Sequence, residues 1–564
     1  MSDNIQHSRN IALLLKHQYD VQVVFGIVGI PVVEFAQELQ EVGIRFIAFR
    51  NEQAASYAAS AYGYLTGKPG VLLVVGGPGV IHALAGVYNS VNNRWPLLLI
   101  AGSVPTDEVH KGGFQEMDQL SAMKPFTKFA GQLTGTKRDA SILFQAWNSA
   151  IQGTPGVSYI DFPGDLITQR VKRIDFHTHP IERLAPGPNP SSVAEISSLI
   201  KDHKEKNILV VIGKGSTDAY SQLRHFVEKF NFPFLPTPMA KGVIPDSHQL
   251  NVSSARSLAL KNADLVLVFG ARLNWILHYA EPPKWNPNAI FVQIDHDPET
   301  LGINNPQGNK YCLWGDIQLT VEALTESLLN LGFDRSIGIS KPLAEKIKAN
   351  KHSLGVKLNP ENYNGNLPLN YYSVYSKLKH LIDDKSTIIV SEGANTMDIA
   401  RISFETDHPK RRLDAGTNAT MGVGLGYAIA SKLCHPDMNV VTIQGDSAFG
   451  FSGMEIESAV RSKLGIIFVV MNNSGIYHGT ENPDSLEDNK LPPTMLTQEC
   501  RYDIVANGLG GKGYLVKDLP SLERAFRDAL NVTQSERVPC LLNVIIEPGK
   551  QKKISFGWQN KAKL

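Results

Sequence analysis

Short runs of Val, Ile, Leu and Phe recur along the whole chain, each closed by Gly, a polar or a turn residue and separated from the next by a longer helical segment. In the first third they are Val21–Val28, Ile44–Phe49, Val71–Val75 and Leu97–Ala101, with a helix expected over Gln53–Leu65. The middle third repeats the pattern with Ile208–Ile212, Pro233–Leu235, Leu265–Phe269 and Ile290–Ile294. The last third does so with Thr387–Val390, Val440–Ile443, Ile466–Val470 and Leu541–Ile545. Continuously apolar runs suit strands covered on both faces, and alternation with helices is how parallel strands are joined. A chain of 564 residues exceeds one core. The expectation is an α/β protein of three doubly wound parallel-sheet domains. A Pro-rich stretch at 180–190 and a polar one at about 350–366 read as linkers. The expected domains are therefore residues 1–180, 191–345 and 367–548, with a tail at 549–564.

Composition narrows the class of function. Apolar residues make up 43% and charged residues 19%, the balance of a globular protein. A net charge of +1 supplies no global field toward nucleic acid or anionic membranes. No apolar run reaches the roughly 18 residues of a membrane span. The four cysteines, Cys312, Cys434, Cys500 and Cys540, show no CxxC spacing, so neither a disulfide framework nor a zinc site is expected. The polar start and the short apolar run Ile11–Leu15 do not resemble a secretory signal. The sequence ends in Ala562-Lys563-Leu564, close to the Ser-Lys-Leu address read by the peroxisomal import receptor. The expected location is the peroxisome matrix, against a chance match in a basic tail; in a bacterial source it would be the cytoplasm.

The most specific segment is Val440–Gly475. A strand ending at Gln444 leads into Gly445-Asp446-Ser447, a helix runs from about Met454, and a second strand ends at Asn472-Asn473. Adjacent parallel strands bring both carboxyl ends to one sheet edge, so Asp446 and Asn473 converge, with the Gly475 carbonyl completing a set of hard oxygen ligands suited to Mg²⁺. Gly445 and Gly450 permit backbone approach to phosphates ahead of a helix N-terminus. This segment resembles the GDG-to-NN signature of thiamine-diphosphate enzymes, with Ser447 in place of the third-position Gly.

Such an enzyme needs a carboxylate against N1′ of the aminopyrimidine. Glu52 stands where an apolar run turns into a helix, followed by Ala54, Ala55, Ala58, Ala59 and Ala61. Alone it reads as a dipole-favoured helix start; with the metal segment it becomes the candidate catalytic acid, its pKa raised by burial. The cofactor must also be bent by an apolar wedge, for which Met421 is the candidate, with the Ala419 carbonyl receiving the 4′-amino group; the alternative is a Gly-rich helix-packing segment.

At these places the chain resembles, over nearly its whole length, the thiamine-diphosphate family that includes pyruvate decarboxylase and acetolactate synthase. The resemblance implies pyrimidine-binding, central and diphosphate-binding domains in that order. It implies a cofactor site of Ile30, Pro31, Glu52, Asn395, Ala419, Met421, Gly445, Asp446, Ser447, Asn473, Gly475 and Ile476. Its acid and metal halves come from different subunits, hence a homodimer or homotetramer. Phe25–Pro31, Ser391–Asp398, Gly445–Met454 and Gly475–Gly479 are closest to the 2-hydroxyacyl-CoA lyase and oxalyl-CoA decarboxylase branch, of the fungal peroxisomal type. Phe114-Gln115-Glu116, Pro236–Met239 and Ala271–Trp275 resemble the lyase form.

The implied reaction is cleavage of a 2-hydroxyacyl-CoA to formyl-CoA and a shortened aldehyde, as in fatty-acid α-oxidation. The alternatives are oxalyl-CoA decarboxylation and, in another class, an inactive cofactor-binding subunit, against which intact Glu52, Asp446 and Asn473 argue. A lyase must deprotonate the substrate hydroxyl, and Gln115, Glu116 and His478 are the polar candidates, with a surface role for His478 equally open. In the central domain Lys214, Arg272 and Asp295 each follow an apolar run, suggesting ADP or the nucleotide end of CoA, against an empty structural sheet.

Overall fold

The computed structural model describes residues 4–175, 181–363, 368–477, 479–480, 487 and 490–548. His478, the tail from 549 and the tripeptide Ala562-Lys563-Leu564 lie outside the described residues.

Three parallel sheets account for the alternating pattern. The first has six strands in the order 45–48, 23–26, 70–74, 97–103, 157–163, 129–132. The second has five, in the order 234–236, 208–212, 265–269, 290–295, 312–314. The third has six, in the order 412–414, 387–392, 439–445, 467–472, 540–545, 512–516. Central strands such as Leu265–Phe269 and Ile467–Asn472 are buried along their full length, as helices on both faces require. A two-stranded antiparallel ribbon, Asn4–Gln6 with Arg170–Lys172, ties the chain start to the end of the first domain.

Differences from the sequence reading are local. The strand expected at Val21–Val28 shortens to Val23–Gly26, with residues 27–29 irregular and a turn following at 30–32. Strands at Phe129–Gln132, Val157–Pro163, Cys312–Trp314, Arg412–Asp414 and Lys512–Val516 are additional. The stretch at about 350–366 is not a linker throughout: a helix, Lys341–Lys357, occupies its first part, with Leu343 its one buried residue. Its charged, weakly patterned sequence hides the helical period.

The first and third domains meet helix to helix. Glu52–Thr66 is capped by the Asn51 side chain, which accepts from Gln53 N at 2.8 Å, and ends at left-handed Gly67. Its alanine face packs on Gly424–Cys434, where a Cβ at Gly426 would stand 2.7 Å from the Ala54 carbonyl oxygen. Close approach therefore demands glycine there. It fixes the start of Glu52's helix against the domain carrying Asp446.

Candidate active site

Strands Asn439–Gly445 and Ile467–Asn472 pair in parallel with Gly445 opposite Met471, so the residues following each lie at one sheet edge. Asp446 is 2% exposed. Its Oδ1 accepts from Ser447 N at 2.8 Å and its Oδ2 from Gly475 N at 3.1 Å. Among the described residues no cationic side chain pairs with it, and burial pushes its pKa up to about 6. A buried carboxylate answered only by backbone dipoles fits a divalent cation, which would restore the charged form.

The two consecutive asparagines divide their work. Asn472 turns inward, its amide donating to Cys500 O and Asn543 Oδ1 at 3.0 Å each. Asn473 takes the site side, donating to Tyr477 O at 3.0 Å. Asn395, at the start of helix Ala394–Ser403, reaches the same carbonyl at 3.5 Å. Asp446, Asn473, Gly475 and Asn395 are thus brought together, with Ile476 beside them and 38% exposed. Ser474 and Tyr477 hold left-handed backbone (φ 60° and 65°), so this turn stores strain. The helix expected from about Met454 runs over Glu455–Arg461, and an additional single turn, Asp446–Gly450, precedes it.

Glu392 was legible only as part of a phrase, yet it holds the backbone that follows Met421. Fully buried, its carboxylate accepts from Gly422 N, from Gly424 N at 2.7 Å and from Gln444 Nε2 at 2.8 Å. Burial lifts its pKa to about 7. Met421 precedes the held glycine and stays half-buried, while Ala419 is exposed with φ 51°.

Glu52 begins its helix, and its Oε2 meets His82 Nδ1 at 3.2 Å. His82, on the helix Pro78–Asn93, carries no signal in the sequence that would mark it. Arg50 N, two residues before Glu52, donates to both oxygens of Glu455 at 3.1 and 3.2 Å. The start of Glu52's helix is therefore pinned by the third domain.

Gln115 has left-handed backbone (φ 57°), and its buried Oε1 finds no partner among the described residues. Glu116 is differently placed: its oxygens accept from the backbone N–H groups of His110, Gly112 (2.7 Å) and Gly113 (3.0 Å). Those bonds hold it below the usual glutamate range, which suits a turn cap more than a base. Pro31, after a cis bond, packs against Gly102 and Gly164, leaving Ile30 72% exposed.

In the central domain Lys214, Arg272 and Asp295 line one cavity of about 820 Å³ between all three domains. Burial and the neighbouring Arg272 push the Lys214 ammonium well below the usual lysine range. Asp295 lies 3.3 Å from His296 Nδ1.

Comparison with known proteins gives this geometry its context. Three family models match in order: the thiamine pyrophosphate enzyme N-terminal binding domain over residues 7–122, its central domain over 193–324 and its C-terminal binding domain over 392–544. The chain belongs to the thiamine pyrophosphate enzyme family. Among its relatives, a 2-hydroxyacyl-CoA lyase of Saccharomyces cerevisiae is 55% identical over 99% of both chains. The 2-hydroxyacyl-CoA lyase 1 of Homo sapiens is 40% identical over 100% of this chain and 98% of its own. An oxalyl-CoA decarboxylase of Escherichia coli is 35% identical over 97% and 96%.

Proposed function

We propose that this chain is a thiamine-diphosphate-dependent lyase that cleaves 2-hydroxyacyl-CoA to formyl-CoA and an aldehyde one carbon shorter. The full-length identity to lyases above that to decarboxylases carries the choice of substrate. The buried Asp446 beside Asn473, with no cationic side chain paired to it among the described residues, supports the choice of metal, Mg²⁺.

When bound, thiamine diphosphate supplies a carbanion at its thiazolium C2 and an electron sink for the cleaved bond. The protein's residues do the rest. Asp446, Asn473 and the Gly475 carbonyl would hold the metal that neutralises the diphosphate. Gly445, Ser447, Ile476 and Asn395 border that end, with Ile30 and Pro31 on the pyrimidine side. Glu52 would hold a proton against the aminopyrimidine, oriented by His82. Met421 would keep the two rings apart while Ala419 accepts from the amino group. Gln115, whose buried amide oxygen has no partner among the described residues, is favoured over Glu116 for receiving the substrate hydroxyl.

Exposed apolar side chains support an assembly of at least two subunits: Ile30 (72%) and Phe114 (68%) in the first domain, Phe451 (55%) and Met454 (51%) in the third. A homodimer or homotetramer pairing Glu52 with a neighbour's metal site accounts for them. The 820 Å³ cavity, rich in Lys and Arg with Asp295 at its wall, suits the phosphates and ribose of ADP or CoA. Location in peroxisomes, through the import receptor and Ala562-Lys563-Leu564, and a role in fatty-acid α-oxidation complete the reading. Incubation of purified protein with 2-hydroxyacyl-CoA, and separately with oxalyl-CoA, tests it: aldehyde and formyl-CoA from the first support the lyase. Carbon dioxide from the second alone would replace it with the decarboxylase, and product from neither would reject both.

A further inference from the structure

One residue of the segment that carries Ala419 and Met421 is gripped by both other domains. Thr417 N donates to Asn93 Oδ1 at 3.1 Å, from the first domain. The Thr417 carbonyl accepts from Trp275 Nε1 at 2.9 Å, from the central domain. Its hydroxyl oxygen receives Lys214 Nζ at 3.0 Å and Arg272 Nη2 at 3.3 Å, also from the central domain. Lys214 also donates to Asn93 Oδ1, closing the grip into a ring. Every polar atom of Thr417, main-chain and side-chain, is thus held from outside its own domain.

Two residues on, Ala419 sits at φ 51°. A Cβ in that region is disfavoured and persists only where the surroundings over-determine it. Local support is modest: Ala419 N reaches Gly416 O at 3.3 Å and Thr420 N reaches Ala415 O at 3.0 Å. Asn418 and Ala419 themselves are exposed, so packing does not hold them. The outside contacts lie on either side: the grip on Thr417, and Thr420 Oγ1 meeting Asn89 Oδ1 at 3.4 Å.

We infer that Thr417 is a positioning residue: Lys214, Arg272 and Trp275 clamp it, and the clamp keeps Ala419 left-handed, with its carbonyl and the Met421 side chain presented to the cofactor. This rests on the reading above that Ala419 and Met421 meet the cofactor. It gives the central domain a part in the reaction through the cofactor loop and assigns Lys214 and Arg272 a protein contact beyond the nucleotide role expected from sequence.

Thr417→Val keeps the β-branched shape and removes only the hydroxyl. Trp275→Phe removes the Nε1 donor together with part of the indole ring, at a position open enough to tolerate the smaller side chain (37% exposed). In the cofactor-free chain, amide hydrogen exchange over 418–421 should rise about tenfold in Trp275→Phe, which loses one hydrogen bond, and at least as much in Thr417→Val, which loses two. Exchange in strands Asn439–Gly445 and Ile467–Asn472 should stay unchanged. In the loaded enzyme kcat should fall with KM for acyl-CoA held, and the near-UV circular dichroism of the bound cofactor should weaken. Adding Ala419→Gly, which accepts φ > 0 without steric cost, should recover much of the loss. Unchanged exchange over 418–421 in both variants, or no recovery with Ala419→Gly, overturns the clamp. Raised exchange with wild-type dichroism and kcat overturns the link to the cofactor while leaving the grip itself standing, so the two failures are distinguishable.

Discussion

Glu455→Gln isolates the contact between the third domain and the start of Glu52's helix. Glu455 is 1% exposed, accepts from Arg50 N and from Ser458 Oγ at 2.6 Å, and is raised by burial to a pKa of about 7. Its unfolded value lies near 4.5. The folded chain therefore keeps a proton between those values that the unfolded chain releases. Stability from this group is full below about pH 4.5 and is lost as pH rises through about 7. The gap between 4.5 and about 7 corresponds to about 3 kcal/mol, an upper figure because relaxation and water reduce it. Glutamine keeps the acceptor for Arg50 N and cannot ionise. The cofactor-free variant should melt higher than wild type at pH 8 and at or below it at pH 5, flattening the slope between. Scanning calorimetry of the first transition from pH 5 to 8 is the assay, since a three-domain chain need not unfold in one step. Parallel wild-type and variant curves would refute the argument.

Other outcomes follow from the same geometry. Glu52→Gln should abolish turnover while leaving Mg²⁺-dependent cofactor binding largely intact by calorimetric titration. His82→Leu, which strips Glu52 of its Nδ1 partner, should lower kcat about tenfold, whereas His82→Asn, with Nδ2 close to where Nδ1 stood, should recover most of it. Asp446→Ala should remove the metal dependence of cofactor retention, so that a chelator strips wild-type enzyme but no longer changes the variant's already weak binding.

Much of the site was legible because it is local. Asp446 and Asn473 sit at the ends of two neighbouring strands whose apolar runs declare themselves, and the parallel register does the rest. Leu265–Phe269 and Ile208–Ile212 were legible to the residue, since five buried apolar positions leave little choice. Two edge strands were not: Phe129–Gln132 and Lys512–Val516 are half-buried and mixed in polarity, so neither period stands out. Val157–Pro163 hides behind Asp161, a buried acid whose oxygens accept from Ser103, Gln119, Gln132 and Tyr159. His82, Glu392, Glu455 and Thr417 escaped for a different reason. Their meaning lies in partners 30 to 405 positions away or in other domains, which no local pattern encodes.

Calorimetric titration of the cofactor-free protein with thiamine diphosphate, with and without Mg²⁺, tests the account most directly. Saturable binding that needs the metal and is lost in Asp446→Ala is the predicted result. No heat of binding in the presence of Mg²⁺ would contradict the assignment of Glu52, Asp446 and Asn473 to one coenzyme.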